Sequence, residues 1–248
     1  MLSICFAANS QNELFQKKEF IYKGDTLRYR ILLPENPTEI KTSPKPLVVF
    51  LHGSGERGND NEKQLAHGAD LFSNPQNRKD YPAIVIFPQC PENDSWVSIK
   101  ELPNDKFELE NTPQPMKALF LVKKLIDAYL EDGSADSNQV YIAGLSLGGM
   151  GTFDLLCRYP KTFAAGISIC GAVNTERLNK LDKMPIRIYY GGSDNVVNPE
   201  YSRSAYYKLK ANGSKSVELI EFPGVGHDSW TSAFAQPDFL SWLFSQKK

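Results

Sequence analysis

Long hydrophobic runs and an excess of one charge are both missing from this sequence. No apolar stretch approaches the roughly 20 residues that a helix needs to cross a bilayer. The 28 Lys and Arg residues nearly cancel the 29 Asp and Glu residues, for a formal net charge of −1. A chain without a basic patch or an acidic tail has no electrostatic footprint for nucleic acid. We therefore expect neither a membrane nor a nucleic-acid partner.

Cysteine is scarce as well, and its spacing is uninformative. The four cysteines are Cys5, Cys90, Cys157 and Cys170, and no two of them form a CxxC pair or a short repeating spacing. A structural zinc needs clustered ligands, so we expect no metal, and no motif indicates another cofactor. We interpret Cys157 and Cys170 as small core residues on a helix and a strand, and the disulfide state stays open.

The chain also lacks internal repeats, low-complexity segments and Gly/Ser-rich linkers along its 248 residues. This length suits one large α/β domain, which we place at residues 19–248. Residues 1–18 are expected to be a flexible leader. The short apolar run at 2–8 ends in small residues, as the tail of a secretory signal does. A trimmed signal would place the protein in the periplasm or outside the cell, whereas a mere leader is compatible with the cytoplasm.

Short β-rich runs alternate with helical patterns from residue 46 onward. Most of these runs are nearly continuous in Val, Ile, Phe or Tyr, as in a parallel sheet that is covered on both faces. Two earlier runs, at 19–23 and 27–33, have the pattern of an antiparallel hairpin. Strands that alternate with crossover helices predict an α/β fold with a doubly wound, mostly parallel sheet. The predicted strands are 46–51, 83–87, 139–143, 163–169, 186–190 and 217–222, and the predicted helices are 115–130, 146–159, 200–211 and 229–244.

The run G-L-S-L-G at 144–148 lies between a predicted strand and a predicted helix. This order is typical of a nucleophile elbow, in which a serine sits on a strained strand-to-helix turn. Side chains two residues from the serine would collide in so tight a turn, whereas glycine fits and tolerates unusual torsions. The motif alone is common, but its position between strand and helix predicts Ser146 as a nucleophile.

A glycine-rich loop, H-G-S-G-E-R-G at 52–58, follows the first predicted parallel strand. Such a loop lets backbone N–H groups point into a site. Acyl transfer needs these donors because negative charge develops on the carbonyl oxygen. We predict that the N–H groups of Ser54 and Leu147 form an oxyanion hole, since Leu147 is the residue after the nucleophile.

Two further polar residues each come directly after a predicted strand, Asp194 in G-G-S-D and His227 in G-V-G-H. Ser146, Asp194 and His227 thus occur in the chain order of α/β-hydrolases. A serine is a poor nucleophile until a histidine accepts its proton, and an acid fixes the tautomer of that histidine. The sequence therefore predicts a catalytic triad. Asp228 and Asp182 compete for the role of the acid, but the first adjoins the histidine and the second precedes its strand.

Histidine is rare enough to narrow the choice of base. The chain has only His52, His67 and His227. His52 belongs to the turn before the oxyanion loop, where we expect a structural hydrogen bond. His67 lies in a polar helical stretch and is expected at the surface. The base is therefore predicted to be His227.

These motifs together make the chain resemble a cap-less α/β-hydrolase of the group that includes carboxylesterases, dienelactone-hydrolase-like proteins and carbohydrate esterases of the feruloyl and acetylxylan type. The resemblance extends from about residue 45 to the C-terminus, and it implies the fold and the serine mechanism more strongly than a substrate. One departure is Asn195, where a proline or glycine more often follows the acid. The shared marks are L-H-G-S-G-E-R-G-N-D-N at 51–61, P-Q-C-P at 88–91 followed by Trp96, G-L-S-L-G-G at 144–149, G-G-S-D at 191–194 and G-H-D-S-W at 226–230.

The surroundings of the predicted site indicate an open cleft. The segment between Gly171 and Pro185, where a lid usually enters this fold, is short. An open cleft suits bulky or polymer-attached esters. The stretch at 91–112 is expected to be an irregular binding loop, because loops of this length often bind ligands.

Five side chains near this cleft have expected roles. Trp96 and Trp230 are candidates for a stacking surface against a sugar or an aromatic acid. For Trp230, anchoring of the last helix to the core is an equally good interpretation. Glu56, Arg57 and Asp60 are expected to brace the oxyanion loop by ion pairing, in preference to direct contact with substrate.

We expect a serine carboxylic ester hydrolase that works through an acyl-enzyme. The resemblance implies a carbohydrate-linked feruloyl or acetyl ester, on a small molecule or a polysaccharide, or a small carboxylic ester. Three alternatives stay open: a serine peptidase of the prolyl-oligopeptidase type, a lysophospholipase or thioesterase, and a non-catalytic binding module of the same fold. Peptidases of the prolyl-oligopeptidase type usually carry a gating domain, for which these residues leave no room. A long apolar groove would favour the lysophospholipase, and the complete triad argues against the binding module.

Overall fold

The computed structural model describes residues 13–37, 43–103 and 106–248 of the chain. The first strand, β1 (Gln16–Tyr22), begins inside the segment expected as a leader, and Phe15 before it is buried. The folded part therefore reaches at least four residues ahead of the boundary at residue 19. Residues 1–12 of the expected leader, Cys5 among them, lie outside the described residues.

One eight-stranded sheet organises this part of the chain. The described residues contain ten strands, of which β5 and β6 form a separate pair outside this sheet: β1 (Gln16–Tyr22), β2 (Asp25–Leu32), β3 (Lys45–Leu51), β4 (Ile84–Pro88), β5 (Ile99–Leu102), β6 (Lys106–Leu109), β7 (Ala135–Leu145), β8 (Ala165–Ile169), β9 (Ile186–Gly191) and β10 (Val217–Phe222). The order in the sheet is β1-β2-β4-β3-β7-β8-β9-β10. Strand β2 pairs antiparallel with both β1 and β4, and the other pairings in this sheet are parallel. The predicted α/β class with a mostly parallel sheet is confirmed.

The central strands are apolar on both faces because helices cover both sides of the sheet. All residues of β4 and β8 are buried. Successive residues of a strand point to opposite faces. In β3, Leu47 and Val49 belong to one apolar cluster, and Val48 and Phe50 belong to another. The fold therefore has one core on each side of the sheet.

Seven α-helices are found in the described residues, and they differ from the prediction in two places. Proline lacks the N–H that a helix interior requires, and Pro237 separates two short helices where one helix was predicted at 229–244. Two short helices before β4 were not predicted. None of the described helices is long and apolar enough to span a bilayer. The helices are α1 (Ala69–Ser73), α2 (Pro75–Asp80), α3 (Lys117–Glu131), α4 (Leu147–Arg158), α5 (Glu200–Ala211), α6 (Trp230–Phe234) and α7 (Phe239–Ser245).

The stretch at 91–112, expected to be irregular, contains an antiparallel hairpin instead. Strand β5 reads I-K-E-L, with its two polar residues adjacent, and it pairs with β6, which reads K-F-E-L and alternates between polar and apolar residues. Such alternation is typical of a strand with one buried face. The ring of Phe107 stacks on Tyr201 at the start of α5, with 4.8 Å between centroids. The hydroxyl of Tyr201 also donates to the backbone oxygen of Phe107 at 2.7 Å.

Candidate active site

Ser146 occupies the turn between β7 and α4 in a strained backbone conformation. Its φ is 53° and its ψ is −119°, a combination that non-glycine residues rarely adopt. Its N–H donates to the backbone oxygen of Ile169 at 2.8 Å, which ties the turn to the end of β8. The strained turn lifts the side chain of Ser146 out of the sheet, as a nucleophile elbow does.

Two glycines make this turn sterically feasible. A Cβ built on Gly148 would overlap the backbone oxygen of Leu51, and one built on Gly144 would overlap the backbone oxygen of Gly148. The backbone of β3 therefore packs directly against the start of α4. Any side chain at either position would push the turn away from β3.

The side chains of Ser146, Asp194 and His227 meet at the carboxyl ends of the parallel strands. The Nε2 atom of His227 lies 2.9 Å from Oγ of Ser146, and its Nδ1 atom lies 2.7 Å from Oδ2 of Asp194. A carboxylate only accepts hydrogen bonds, so Nδ1 carries the proton and Nε2 presents a lone pair to the serine hydroxyl. The arrangement can transfer the serine proton to the imidazole.

Asp194 is held in place by its own loop. Its Oδ1 atom accepts hydrogen bonds from the backbone N–H groups of Val196 and Val197, both at 2.9 Å. The side chain is buried, and Oδ2 is left for His227. Of the two competing acids, Asp228 is exposed and Asp182 precedes β9. In the described part of the chain, the carboxylate paired with His227 is that of Asp194.

The loops that carry the acid and the histidine are joined by backbone hydrogen bonds. The N–H of Gly192 donates to the oxygen of Phe222 at 3.0 Å, and the N–H of Ser193 donates to the oxygen of Val225 at 2.9 Å. A Cβ on Gly191 would overlap the backbone oxygen of Gly226. The acid loop and the histidine loop thus form one packed unit beside β9 and β10.

The two predicted oxyanion donors both begin a helix. Ser54 is the first residue of the short 3₁₀ helix Ser54–Glu56, and Leu147 is the first residue of α4. The first N–H groups of a helix have no intrahelical acceptor, and they attract negative charge. A Cβ built on Gly53 would lie 3.6 Å from Cβ of Ser146, so this loop borders the nucleophile.

His52 has the structural role that its position in the turn predicts. Its Nδ1 atom lies 2.6 Å from the oxygen of Gly53, and its Nε2 atom accepts from the N–H of Cys90 at 3.0 Å. Burial lowers the pKa of His52 to about 4. The imidazole is therefore neutral and connects the oxyanion loop to the end of β4.

Trp96 does not lie where the prediction put it. The side chain is fully buried, and its indole N–H donates to the backbone oxygen of His52 at 3.0 Å. It packs against α4 at Gly151, where a Cβ would lie only 2.8 Å from Cβ of Trp96. With no exposed ring face, Trp96 cannot stack on a substrate, and its role as a binding residue is corrected to one of support.

The bracing of the oxyanion loop depends more on backbone groups than on ion pairs. Arg57 donates to the backbone oxygens of Ser54 and Asp94, at 3.2 and 3.1 Å. The Oδ1 atom of Asp60 accepts from two backbone N–H groups and from Gln89 at 2.8 Å. Among the described residues, the expected ion pairing is thus limited to two longer contacts, that of Asp60 with Lys63 at 3.8 Å and that of Glu56 with the imidazole of His67 at 3.7 Å.

Trp230 and His67 lie beside the triad. The half-buried indole of Trp230 meets the imidazole of His227 edge to face, with 5.6 Å between centroids. Its centroid also lies 5.1 Å from that of His67. Although partly exposed, His67 faces a neighbour of the triad, which the polar sequence around it did not indicate. Trp230 contacts both the apolar core and the site.

Within the described ranges, one group of three side chains brings together atoms of the types that can bind a metal ion. Atoms of Cys170, Asp194 and His227 lie within 4.8 Å of one another. Burial raises the pKa of the Cys170 thiol to about 12, whereas metals bind the thiolate. Because Asp194 and His227 are also hydrogen-bonded to each other, and His227 to Ser146, we interpret these atoms as part of that hydrogen-bonded arrangement.

Comparisons with known proteins show the family to which this chain is similar. Residues 38–241 match the phospholipase/carboxylesterase family. A probable carboxylesterase of Oryza sativa subsp. japonica is 30% identical over 209 residues, which cover 79% of this chain and 76% of that protein. Feruloyl esterase B of Thermothelomyces thermophilus is 28% identical over 171 residues, and the match covers 69% of this chain and about half, 52%, of that enzyme.

A solved structure supports the same assignment. The crystal structure of a thermostable esterase superposes with a TM-score of 0.86 at 34% identity. The match covers 96% of this chain and 64% of that one. The sheet order, the strained serine turn and these matches lead to one conclusion. The chain belongs to the phospholipase/carboxylesterase family and is an ester-hydrolysing enzyme with the α/β-hydrolase fold.

Proposed function

We propose that the protein is a serine carboxylic ester hydrolase in which Ser146, His227 and Asp194 form the catalytic triad. One observation carries the proposal: Nε2 of His227 lies 2.9 Å from Oγ of Ser146 while Nδ1 is held at 2.7 Å by Asp194. A serine hydroxyl becomes a useful nucleophile when a neighbouring base takes its proton.

In the first half of the reaction, Oγ of Ser146 bonds to the ester carbonyl carbon and its proton moves to Nε2 of His227. The tetrahedral intermediate then breaks its bond to the alcohol oxygen, which receives that proton. Asp194 stabilises the imidazolium between these two steps. An acyl-enzyme and a free alcohol result.

In the second half, a water molecule attacks the acyl-enzyme and gives a proton to His227. The bond between Oγ and the acyl carbon breaks, and the serine regains its proton as the carboxylic acid leaves. In both halves, negative charge develops on the former carbonyl oxygen. We assign the N–H groups of Ser54 and Leu147 to that oxygen, and loss of one such donor typically costs about 3 kcal/mol of barrier.

For the substrate, we propose a carbohydrate-linked feruloyl or acetyl ester, or a small carboxylic ester. The match to a feruloyl esterase supports this choice. A second support is the segment between β8 and β9, where the described residues form only a short 3₁₀ helix, Thr175–Lys180, and no lid. An open cleft admits an ester that is attached to a polymer.

The experiment compares hydrolysis of p-nitrophenyl acetate by the wild type and by Ser146→Ala. A matched control is Ser241→Ala, which removes an exposed serine hydroxyl on α7. We expect activity to be lost in the first variant and retained in the second. Equal activity of the wild type and Ser146→Ala would remove the catalytic assignment. A panel of feruloyl, acetyl-xylan, short-chain and long-chain esters, assayed side by side, then tests the substrate class.

A further inference from the structure

Glu56 places a carboxylate beside the nucleophile that the triad does not use. A methyl group built on Gly53 would lie 3.0 Å from Oε2 of Glu56 and 3.6 Å from Cβ of Ser146. The carboxylate and the serine therefore flank the same point on the oxyanion loop. Only 16% of the Glu56 side chain is exposed, so this charge is largely withdrawn from water.

Within the described residues, no donor forms a hydrogen bond with the Glu56 carboxylate, so its oxygens are available as acceptors. In the part of the chain that the structure describes, its nearest charged or titratable partner is Nε2 of His67, 3.7 Å from Oε1, which is beyond hydrogen-bond length. An ionised carboxylate offers about four lone-pair directions. A largely buried carboxylate is costly unless its oxygens accept hydrogen bonds, so Glu56 needs a donor. A bound substrate can supply one.

A chain of side-chain contacts links Glu56 to His227. Glu56 contacts His67, the ring of His67 lies against Trp230, and Trp230 meets His227 edge to face. His227 is the group that gives its proton to the alcohol oxygen in the proposed mechanism. We call the set Glu56, His67 and Trp230 the alcohol wall.

We propose that the alcohol wall binds an alcohol that carries further hydroxyl groups, with Glu56 as the residue that determines this specificity. This inference rests on the proposed function and adds the preferred class of leaving alcohol. A hydroxyl donates to the Glu56 carboxylate in a charge-assisted hydrogen bond. The half-buried indole of Trp230 offers its exposed apolar area to the carbon skeleton of the same alcohol.

The imidazole of His67 favours a hydroxylated alcohol over a cationic one. A neutral imidazole has one donor and one acceptor nitrogen, and a protonated imidazole has two donors. A hydroxyl group can serve either form, since it donates and accepts. An ammonium group only donates, so it would leave a donor nitrogen of His67 without an acceptor. An anionic alcohol would be repelled by Glu56.

The test uses two esters of one acid, glycerol monoacetate and ethyl acetate, so that the acyl-enzyme is the same. We expect Glu56→Ala to lower the ratio of kcat/KM for glycerol monoacetate to kcat/KM for ethyl acetate about tenfold or more, because a hydrogen bond to a charged group is lost. The loss should appear mainly as a higher KM for glycerol monoacetate. Glu56→Gln, which keeps the shape and one acceptor oxygen, should show a smaller fall.

The matched control is Glu62→Ala. Glu62 lies in the same connection between β3 and α1, but its side chain is 63% exposed and pairs with Lys17. Its removal changes the net charge by the same amount, and the ratio should stay within twofold of the wild type. Glu56→Gln keeps the proposal testable if Glu56→Ala does not fold, since the amide has the size of the carboxylate.

Several outcomes would overturn the inference. If both Glu56 variants keep the ratio of the two kcat/KM values within twofold of the wild type, Glu56 does not determine the specificity for the alcohol. An equal loss of kcat/KM on both esters would show that Glu56 supports the oxyanion loop and does not bind the alcohol. A loss confined to acetylcholine, assayed in parallel, would make the wall a cation site. Failure of the wild type to hydrolyse any of these esters would instead count against the proposed function, and the two failures are therefore distinct.

Discussion

Asp194 and His227 meet in a 2.7 Å hydrogen bond although they stand 33 positions apart in the chain. The second carboxylate oxygen of Asp194 is occupied by two backbone N–H groups of its own loop. Rotation of the carboxylate would break those bonds, so Oδ2 stays directed at Nδ1. The acid thereby selects the imidazole tautomer whose Nε2 faces Ser146.

The first prediction concerns that tautomer. Asp194→Asn keeps the size of the side chain but can donate to Nδ1, which would move the imidazole proton to Nε2. We expect kcat for p-nitrophenyl acetate to fall by about 10⁴-fold with the fold intact. Asp228→Asn, which changes the exposed neighbour of the histidine, should retain activity. A fall of less than about tenfold in Asp194→Asn would mean that the acid lies elsewhere.

The second prediction concerns the serine turn. In Gly148→Ala the new methyl group would overlap the backbone oxygen of Leu51, and neither backbone can move without displacing β3 or α4. We expect a loss of stability of at least about 1–3 kcal/mol, the usual cost of overpacking, together with a large loss of activity. Thermal melting and an ester assay measure the two effects. As a control for stability, Gly55→Ala adds a methyl group with no atom within 4 Å, and an equally low melting temperature there would contradict the steric argument.

The third prediction follows from the corrected position of Trp96. Trp96→Ala should destabilise the protein by about 3–5 kcal/mol, as expected for a buried aromatic side chain. It should not change the preference between aryl esters and acetate esters, because the ring faces the core. Trp96→Phe keeps most of the volume but removes the donor to His52, so it should cost less stability. A selective rise in KM for aryl esters with normal stability would return Trp96 to the binding surface.

The meeting of Ser146, Asp194 and His227 was predictable because three strand ends in a parallel sheet share one edge. Ser146, Asp194 and His227 each follow an apolar run of strand length, and sequence order then assigns the roles. The hairpin of β5 and β6 was missed because strands of four residues give a weak signal and the residues of β5, I-K-E-L, do not alternate. The break at Pro237 was readable from the missing N–H of proline.

The positions of Trp96 and His67 were not readable from sequence. The burial of Trp96 depends on the space left by Gly151 in α4, and no local pattern links two residues so far apart in the chain. The polar neighbours of His67 indicate a surface helix, but its contacts are with Glu56 and Trp230. Residues that act through long-range contacts between loops therefore need the coordinates.

The last prediction concerns acid stability and His52. Burial lowers the pKa of His52 from 6.5 to about 4, so the folded protein keeps this imidazole neutral where the unfolded chain binds a proton. Stability therefore falls as the pH drops from 6.5 towards 4, by up to about 3 kcal/mol from this group. Above pH 6.5 both states are neutral, and His52 adds no pH dependence.

The variant His52→Asn separates this effect from the carboxylates that titrate in the same range. Asn has no proton to gain, so its stability should depend less on pH. It should be less stable than the wild type at pH 7.5, because the N–H of Cys90 loses its acceptor. The gap between the two proteins in free energy of unfolding should then narrow by about 2 kcal/mol at pH 4.5, since only the wild type has the histidine to protonate on unfolding. Urea unfolding at both pH values measures this difference in free energy of unfolding. An equal difference at pH 7.5 and pH 4.5 would show that burial does not lower the pKa of His52.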